Sequence, residues 1–125
     1  MKHIVYWLCL LSGAGLLYIG IRFFLNPLNA TIDYGITNPI GGNFSFQYIK
    51  GVRDAFFGLI ILVLLFKKQF QSLGWVLVLG TIVPATDFFI VISQPQYTVA
   101  HTIAHLIAVV ICAGCGSYYL KNYNK

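Results

Sequence analysis

The stretch that decides the fold runs from Val99 to Leu120 and reads VAHTIAHLIAVVICAGCGSYYL. It contains no Asp, Glu, Lys or Arg, and it is longer than the roughly 20 predominantly apolar residues that a membrane-spanning helix needs. Three further stretches are of similar length and predominantly apolar, from about Ile4 to Leu25, from about Tyr48 to Phe66 and from about Leu73 to Ser93. The sequence therefore predicts an all-α integral membrane protein with four spans.

The composition favours the same class of protein. Of the 125 residues, 58% are hydrophobic and 9% are charged, whereas a soluble domain is typically about 45–50% apolar and about 25% charged. A chain with so few charges cannot cover a water-facing surface, so membrane lipid is an expected partner. The net charge of +5 does not indicate nucleic-acid binding, because the lysines stand in ones and twos at the ends of apolar stretches rather than in one basic patch.

Polar breaks separate the apolar stretches and set their order. Asn26-Pro27 ends the first span, Lys67-Lys68 ends the second, and Gln94-Pro95-Gln96 separates the third from the fourth. These breaks predict one transmembrane domain over residues 1–125, arranged as an up-down-up-down four-helix bundle. The loop over residues 26–47 is longer than the about 2–8 residues usual between helices, and it is interpreted either as a lid over the ionisable residues or as a flexible tether.

The positively charged residues predict the orientation of this bundle. Cytoplasmic flanks of membrane proteins carry an excess of Lys and Arg. One side of the predicted bundle collects Lys2, Lys67, Lys68, Lys121 and Lys125, and the other collects Arg22, Lys50 and Arg53. Both termini are therefore expected in the cytoplasm, with the long loop on the outer side.

The polar residues of the spans recur at helical intervals. In the fourth span, spacings of 4, 3, 4 and 3 are typical of one packed helix face, and they connect His101, His105, Ala108, Cys112 and Cys115. Similar spacings run through Asp54 in the second span and Asp87 in the third. Pro84 lacks an amide proton and is expected to kink the third span. Gly51 and Gly58, seven residues apart, are expected to admit a close neighbour.

The ionisable residues within the spans gather toward the predicted outer face. A charged side chain at the centre of a bilayer costs roughly 2.5–3.5 kcal/mol on insertion scales, so their collection at one level indicates a site. The helical rise of about 1.5 Å per residue puts Asp54, Asp87 and His105 each about 9 Å below the outer ends of their spans. The six residues concerned are Arg22, Arg53, Asp54, Asp87, His101 and His105.

Four segments of the chain carry a resemblance when taken in order. They are Gly20 to Pro27, Lys50 to Asp54, Pro84 to Asp87, and the pair His101 and His105. They resemble a family of small four-span membrane proteins known only as a domain of unknown function. The resemblance covers nearly the whole chain and implies the four-helix architecture. It implies no activity, cofactor or catalytic residue.

The predicted site suits acid–base chemistry on a lipophilic small molecule, because carboxylates and imidazoles supply a general acid and a general base. The candidate catalytic residues are Asp87, His105 and Asp54. The candidate ligand-binding residues are Arg22, Arg53 and His101. In this interpretation Arg22 anchors an anionic group, and Arg53 forms a charged clamp with Asp54.

Two alternatives stay open at this point. The first is a ligand-binding or transport-type protein for an anionic or amphipathic ligand, held by the arginines. The second is a structural membrane protein with an internal ion-pair network, in which Arg22 and Arg53 neutralise Asp54 and Asp87. Charged groups inside membranes commonly pair in this way.

No metal and no cofactor are predicted. His101 and His105 lie one helical turn apart, like the histidines of helix-borne zinc sites, and Asp87 or Asp54 would complete a set of three ligands. The spacing alone is weak evidence, and the sequence has no H-E-x-x-H. A metal therefore remains a minor alternative.

The cysteines of the predicted cytoplasmic half have two interpretations, packing and redox chemistry. Cys112 and Cys115 match C-x-x-C, but they lie away from the oxidising compartment, so packing is favoured over redox chemistry. A face of small residues around Gly13 and Gly15 allows a homo-dimer.

Overall fold

The structure, a computed structural model, describes residues 1–36, 44–95 and 97–123. All regular structure in these ranges is helical, which confirms the predicted all-α class. The elements are α1 (Lys2–Leu25), α2 (Pro27–Tyr34), α3 (Ser45–Phe66), α4 (Phe70–Gly80), α5 (Ile82–Ile92) and α6 (Val99–Asn122).

In the described part of the chain, three helical segments are long and apolar enough to cross a membrane, namely Lys2–Leu25, Phe70–Ile92 and Val99–Asn122. They coincide with the first, third and fourth predicted spans. The second predicted span corresponds to α3, which carries Lys50, Arg53 and Asp54 and is not among the three.

The long helices pack as two antiparallel pairs. α1 lies along α3, and α6 lies along α4 and α5. The pairs meet where α1 contacts α6 and α3 contacts α4. This arrangement gives the molecule two distinct ends. We call them the lysine end, with Lys2, Lys67, Lys68 and Lys121, and the aspartate end, with Asp33, Asp54 and Asp87.

The buried apolar core lies toward the lysine end. It is a single cluster of Val5, Cys9, Ile61, Leu65, Leu73, Leu77, Cys115 and Tyr119. Toward the aspartate end, polar residues are buried as well, including Asp54 and Thr102. The polar site is therefore separated from the best-packed part of the molecule.

Glycines let α1 and α3 approach closely. A Cβ atom on Gly20 would lie 2.5 Å from both Ala55 N and Gly51 O, and one on Gly58 would lie 2.5 Å from Gly13 O. The prediction that Gly51 and Gly58 admit a close neighbour is confirmed, with α1 as that neighbour.

The small-residue face expected on α1 is only partly exposed. Gly13 is buried, and a Cβ atom there would lie 3.0 Å from Leu62 and 3.1 Å from Ile61. The expectation that Gly13 is open to a second copy is wrong, because α3 covers it. Gly15 has open space around it, and the homo-dimer stays a prediction.

The third predicted span is interrupted at Thr81, between α4 and α5. Pro84 has no amide proton to donate to the Gly80 carbonyl four residues earlier, so the helical ladder loses a bond there. The kink expected from Pro84 stays a prediction, and Asp87 lies on the second of the two segments.

The predicted outer loop is not a loop throughout. Residues 27–34 form α2, which corrects the expectation of irregular chain over residues 26–47. Asn38, Gly41, Gly42 and Asn43 of the expected lid lie outside the described residues.

Candidate functional site

Tyr34, the last residue of α2, is the centre of the polar cluster at the aspartate end. Its ring centroid lies 4.4 Å from Lys50 Nζ and 4.6 Å from the ring centroid of His105. Its carbonyl accepts a hydrogen bond from His105 Nε2 at 3.1 Å, and its phenol is hydrogen-bonded to Asp87. One residue thus joins α3, α5 and α6. We call Tyr34, Lys50, Asp54, Asp87 and His105 the Tyr34 cluster.

The local sequence of α2 holds Tyr34 in this position. Pro27 begins the helix, where its missing amide proton costs no hydrogen bond, and Thr31 Oγ1 donates to the Pro27 carbonyl at 2.6 Å. Gly35 follows Tyr34 with a φ of 114°, a conformation that favours glycine. A Cβ atom on Gly35 would lie 2.9 Å from Val91 Cγ1, so the end of α2 lies directly against α5.

Gly35→Ala is expected to lower the free energy of unfolding by about 2–3 kcal/mol. A left-handed conformation costs an L-residue about 1–2 kcal/mol, and the added methyl would meet Val91. Thermal unfolding of the detergent-solubilised protein measures the change. Gly114→Ala is the matched control, because it has open space around it. Equal unfolding temperatures for both variants would contradict this account.

Asp54 is paired with Lys50. Asp54 is 9% exposed, and Lys50 Nζ donates a hydrogen bond to its Oδ2 at 2.9 Å. Arg53 is exposed and turned about 100° away on the helix. The expected clamp of Arg53 with Asp54 is therefore replaced by the pair with Lys50, because residues four apart share a helix face and adjacent residues do not.

Asp87 differs from the other two carboxylates in its partner. Within residues 1–36, 44–95 and 97–123, ion pairs join Arg22 to Asp33 and Lys50 to Asp54. Asp87 takes part in neither, and its hydrogen bond is with the neutral phenol of Tyr34. A half-buried carboxylate is thus held by a neutral donor rather than by a cation.

The cluster keeps the Tyr34 phenol protonated. Burial raises the pKa of this phenol well above its usual value, and the hydrogen bond to Asp87 and the charges of Asp87 and Asp54 raise it further. Because a raised pKa favours the protonated form, the hydroxyl loses its proton only under strongly alkaline conditions.

The hydrogen bond of His105 defines where its ring carries a proton. A carbonyl oxygen only accepts hydrogen bonds, so the Nε2 atom that faces the Tyr34 carbonyl carries a proton. In the neutral ring, Nδ1 is then an acceptor. His105 can take up a proton at Nδ1 without losing its contact with α2.

The three predicted ligand-binding residues lie at the edge of the cluster, whereas the three predicted catalytic residues belong to it. Arg22 forms an ion pair with Asp33 of α2. His101 Nδ1 is 3.0 Å from Thr98 Oγ1 within its own helix. Arg22 and His101 therefore contact residues that the sequence analysis had not connected with them.

Arg53 lines a groove of about 360 Å³ beside the polar cluster. The other lining residues are apolar or aromatic, namely Phe24, Tyr48, Ile49 and Val52. The rings of Phe24 and Tyr48 stack with their centroids 5.5 Å apart. We call this feature the Arg53 groove. Its single cation among apolar side chains suits an amphipathic ligand with an anionic group.

The residues that the structure describes contain no group of three or more His, Cys, Asp or Glu side chains placed to hold a metal ion. Cys9, Cys112 and Cys115 are free thiols, and Cys9 and Cys115 belong to the buried core. Their place in the core suits a packing role.

Sequence reasoning missed Tyr34 altogether and gave Lys50 no role. The available signal for Tyr34 was Pro27 followed by Gly35, which together mark the start and end of a short helix. The signal for Lys50 was its spacing of four residues from Asp54.

Together, the fold and the site define an all-helical protein whose long apolar helices are compatible with an integral membrane protein and whose ionisable residues meet at one end. A family model described as a domain of unknown function (DUF4267) matches residues 13–119. The chain belongs to this family, as the four quoted segments had indicated. No curated protein and no solved structure matches the chain.

Proposed function

We propose that the chain crosses a membrane four times, with α3 as the additional span. At about 1.5 Å per residue, the 22 residues of α3 extend about 33 Å, enough for a hydrocarbon core of about 30 Å. Lys50 and Asp54 neutralise each other on this helix. Arg53 lies in the first half of α3 and is exposed, and a long Arg side chain can extend from there toward the headgroup region. The charges of α3 are therefore compatible with a span.

In the proposed orientation, the lysine end faces the cytoplasm and the aspartate end faces outward. The supporting observation is the excess of positive charge at the lysine end. The Tyr34 cluster then lies in the outer half of the bundle, beneath α2.

At the Tyr34 cluster we infer a site for general acid–base chemistry on a lipophilic small molecule. The observation that carries this inference is the state of Asp87, a carboxylate without a cationic partner in the described chain. Ionisable residues inside membrane segments are expensive and mark functional sites by default. An uncompensated carboxylate is available to accept or deliver a proton in a way that a paired one is not.

Each cluster member has a distinct part in this proposal. Asp87 is the acid or base, and Tyr34 donates a hydrogen bond to its carboxylate. His105 takes or gives a proton at Nδ1 while Nε2 stays bonded to α2. Asp54 is held in place by its ion pair with Lys50. The substrate reaches the site laterally from the lipid.

A ligand-binding or transport-type role is the second candidate, and the Arg53 groove favours it. The surface of this groove is almost entirely apolar, and Arg53 is its single charged lining residue. Guanidinium groups bind carboxylates and phosphates in bidentate geometry. An anionic amphiphile lying along α1 and α3 would place its anionic group beside Arg53 and its apolar part against the other lining residues.

A purely structural ion-pair network, the third candidate, explains fewer of these contacts than the proposed site does. It explains the pairs Arg22–Asp33 and Lys50–Asp54. It predicts a cation beside Asp87, which takes part in neither ion pair of the described residues. The position of Asp87 therefore separates the proposed site from a network that only holds the helices together.

Native mass spectrometry of the gently extracted protein tests the site. We expect the wild type to retain a lipophilic small molecule whose occupancy falls at least tenfold in Asp87→Asn and Tyr34→Phe. Asp33→Asn is the matched control, because it removes a carboxylate that is paired and exposed. Equal occupancy in all variants, or an empty wild type with Asp87→Asn only less stable, would favour the structural network.

A further inference from the structure

We propose that a groove at the lysine end binds the headgroup of an anionic phospholipid. This groove has a volume of about 360 Å³ and is bordered by the start of α1, the connection from α3 to α4, and the end of α6. Its volume is within the range of small-molecule sites. The proposal concerns a second site and shares with the proposed function only the placement of the helices in a membrane.

The positive charge of the groove favours binding of an anion. Its lining includes Lys2, His3 and Lys68, and it contains no acidic residue. The whole chain has three Asp and no Glu, and all three lie at the opposite end. In the described part of the chain, no Asp or Glu side chain therefore pairs with these lysines. A phosphate group at the membrane surface would do so.

The backbone turns Lys68 toward the groove. Lys68 has a φ of 58°, a left-handed conformation that is uncommon outside glycine. Hydrogen bonds from Lys68 N to Leu65 O at 3.1 Å and from Gln69 N to Leu64 O at 2.9 Å close this turn. Lys68 consequently lines the groove. The preceding Lys67, with a φ of −77°, is not part of the lining.

Aromatic side chains form the apolar wall beside the charges. Phe70 stacks on Tyr119 with ring centroids 5.1 Å apart, and its centroid is 4.7 Å from that of Tyr123. Tyr6 also lines the groove. Tyrosines are enriched at the headgroup level of membranes, where one end of the ring is apolar and the other meets polar groups. This wall suits the glycerol region of a lipid, with the phosphate beside the lysines.

The test compares two double variants that remove the same charge from the same end. Lys2→Gln/Lys68→Asn empties the groove of its lysines, and Asn tolerates the left-handed conformation at 68. Lys67→Asn/Lys121→Gln is the control outside the lining. Each full-length protein is titrated with a short-chain phosphatidylglycerol in neutral detergent, and bound lipid is counted by native mass spectrometry. Phosphatidylcholine serves as the zwitterionic comparison.

The wild type and the control are expected to bind one phosphatidylglycerol in preference to phosphatidylcholine. The groove variant is expected to bind it about 25-fold more weakly, or about fivefold for each lysine removed. Lys2→Gln alone should give the fivefold loss without touching the turn. Equal losses in both double variants would show nonspecific attraction, and no loss would remove the site. Displacement of the lipid by millimolar inorganic phosphate would show a phosphate site rather than a lipid site.

Discussion

Lys50→Met is expected to lower the free energy of unfolding by about 3 kcal/mol, while Arg53→Met changes it by less than about 0.5 kcal/mol. Asp54 is buried and bonded to Lys50. Removal of one partner from such a pair leaves a buried charge without compensation. Met is an unbranched side chain only one atom shorter than Lys, so the loss reports mainly the charge rather than the packing.

Unfolding of both variants in the same detergent, followed by circular dichroism, measures the difference. The double variant Lys50→Met/Asp54→Leu supplies the control for the pair. Since replacement of a whole ion pair by apolar residues is often neutral or stabilising, it should recover more than half of the loss. If Arg53→Met lowered the free energy of unfolding as much as Lys50→Met, Lys50 would not be the specific partner of the Asp54 carboxylate.

The positions of the long helices could be predicted from the sequence, because a membrane fixes the length of an apolar segment and Pro or paired lysines end it. The second predicted span, residues 48–66, corresponds to Ser45–Phe66 in the structure. The interruption of the third at Thr81 followed from the missing amide proton of Pro84. These features depend on local chemistry, which a single sequence contains.

Pro27 and Gly35 mark the bounds of α2 in the sequence, but the local sequence does not predict that this helix is stable. Its eight residues, Pro27–Tyr34, are too few for a stable helix on their own. Its stability comes from contacts with distant parts of the chain, such as Gly35 against Val91 and the Tyr34 carbonyl against His105. Such contacts have no signature in the local sequence.

The level of the site could be predicted, but its pairings could not. Helical rise places Asp54, Asp87 and His105 at a similar depth, and the structure brings all three together around Tyr34. The rotation of each helix decides which neighbour a side chain meets, and spacing within one helix does not give that rotation. The arginines were therefore predicted as partners of Asp54 and Asp87, whereas the structure uses Lys50 and Tyr34.

Gly20→Ala is expected to lower the free energy of unfolding by about 3 kcal/mol, at the upper end of the usual range for an overpacked interface. The new methyl would lie 2.5 Å from both Ala55 N and Gly51 O. These atoms belong to the backbone of α3 and cannot rotate away as a side chain would. The whole helix must shift, and the contact between α1 and α3 is the most extensive of the fold.

Gly15→Ala is the matched control on the same helix, because nothing lies within 4 Å of its Cβ position. Alanine is the better helix former by roughly 0.5–1 kcal/mol, so this variant should be slightly more stable than the wild type. The two substitutions are chemically identical and differ only in what the methyl meets. Thermal unfolding in one detergent gives both values. If Gly20→Ala unfolded at the same temperature as Gly15→Ala, α1 and α3 would be farther apart than their glycines indicate. The position of Tyr34 beside Lys50 and Asp87, which depends on the packing of these helices, would then be in question as well.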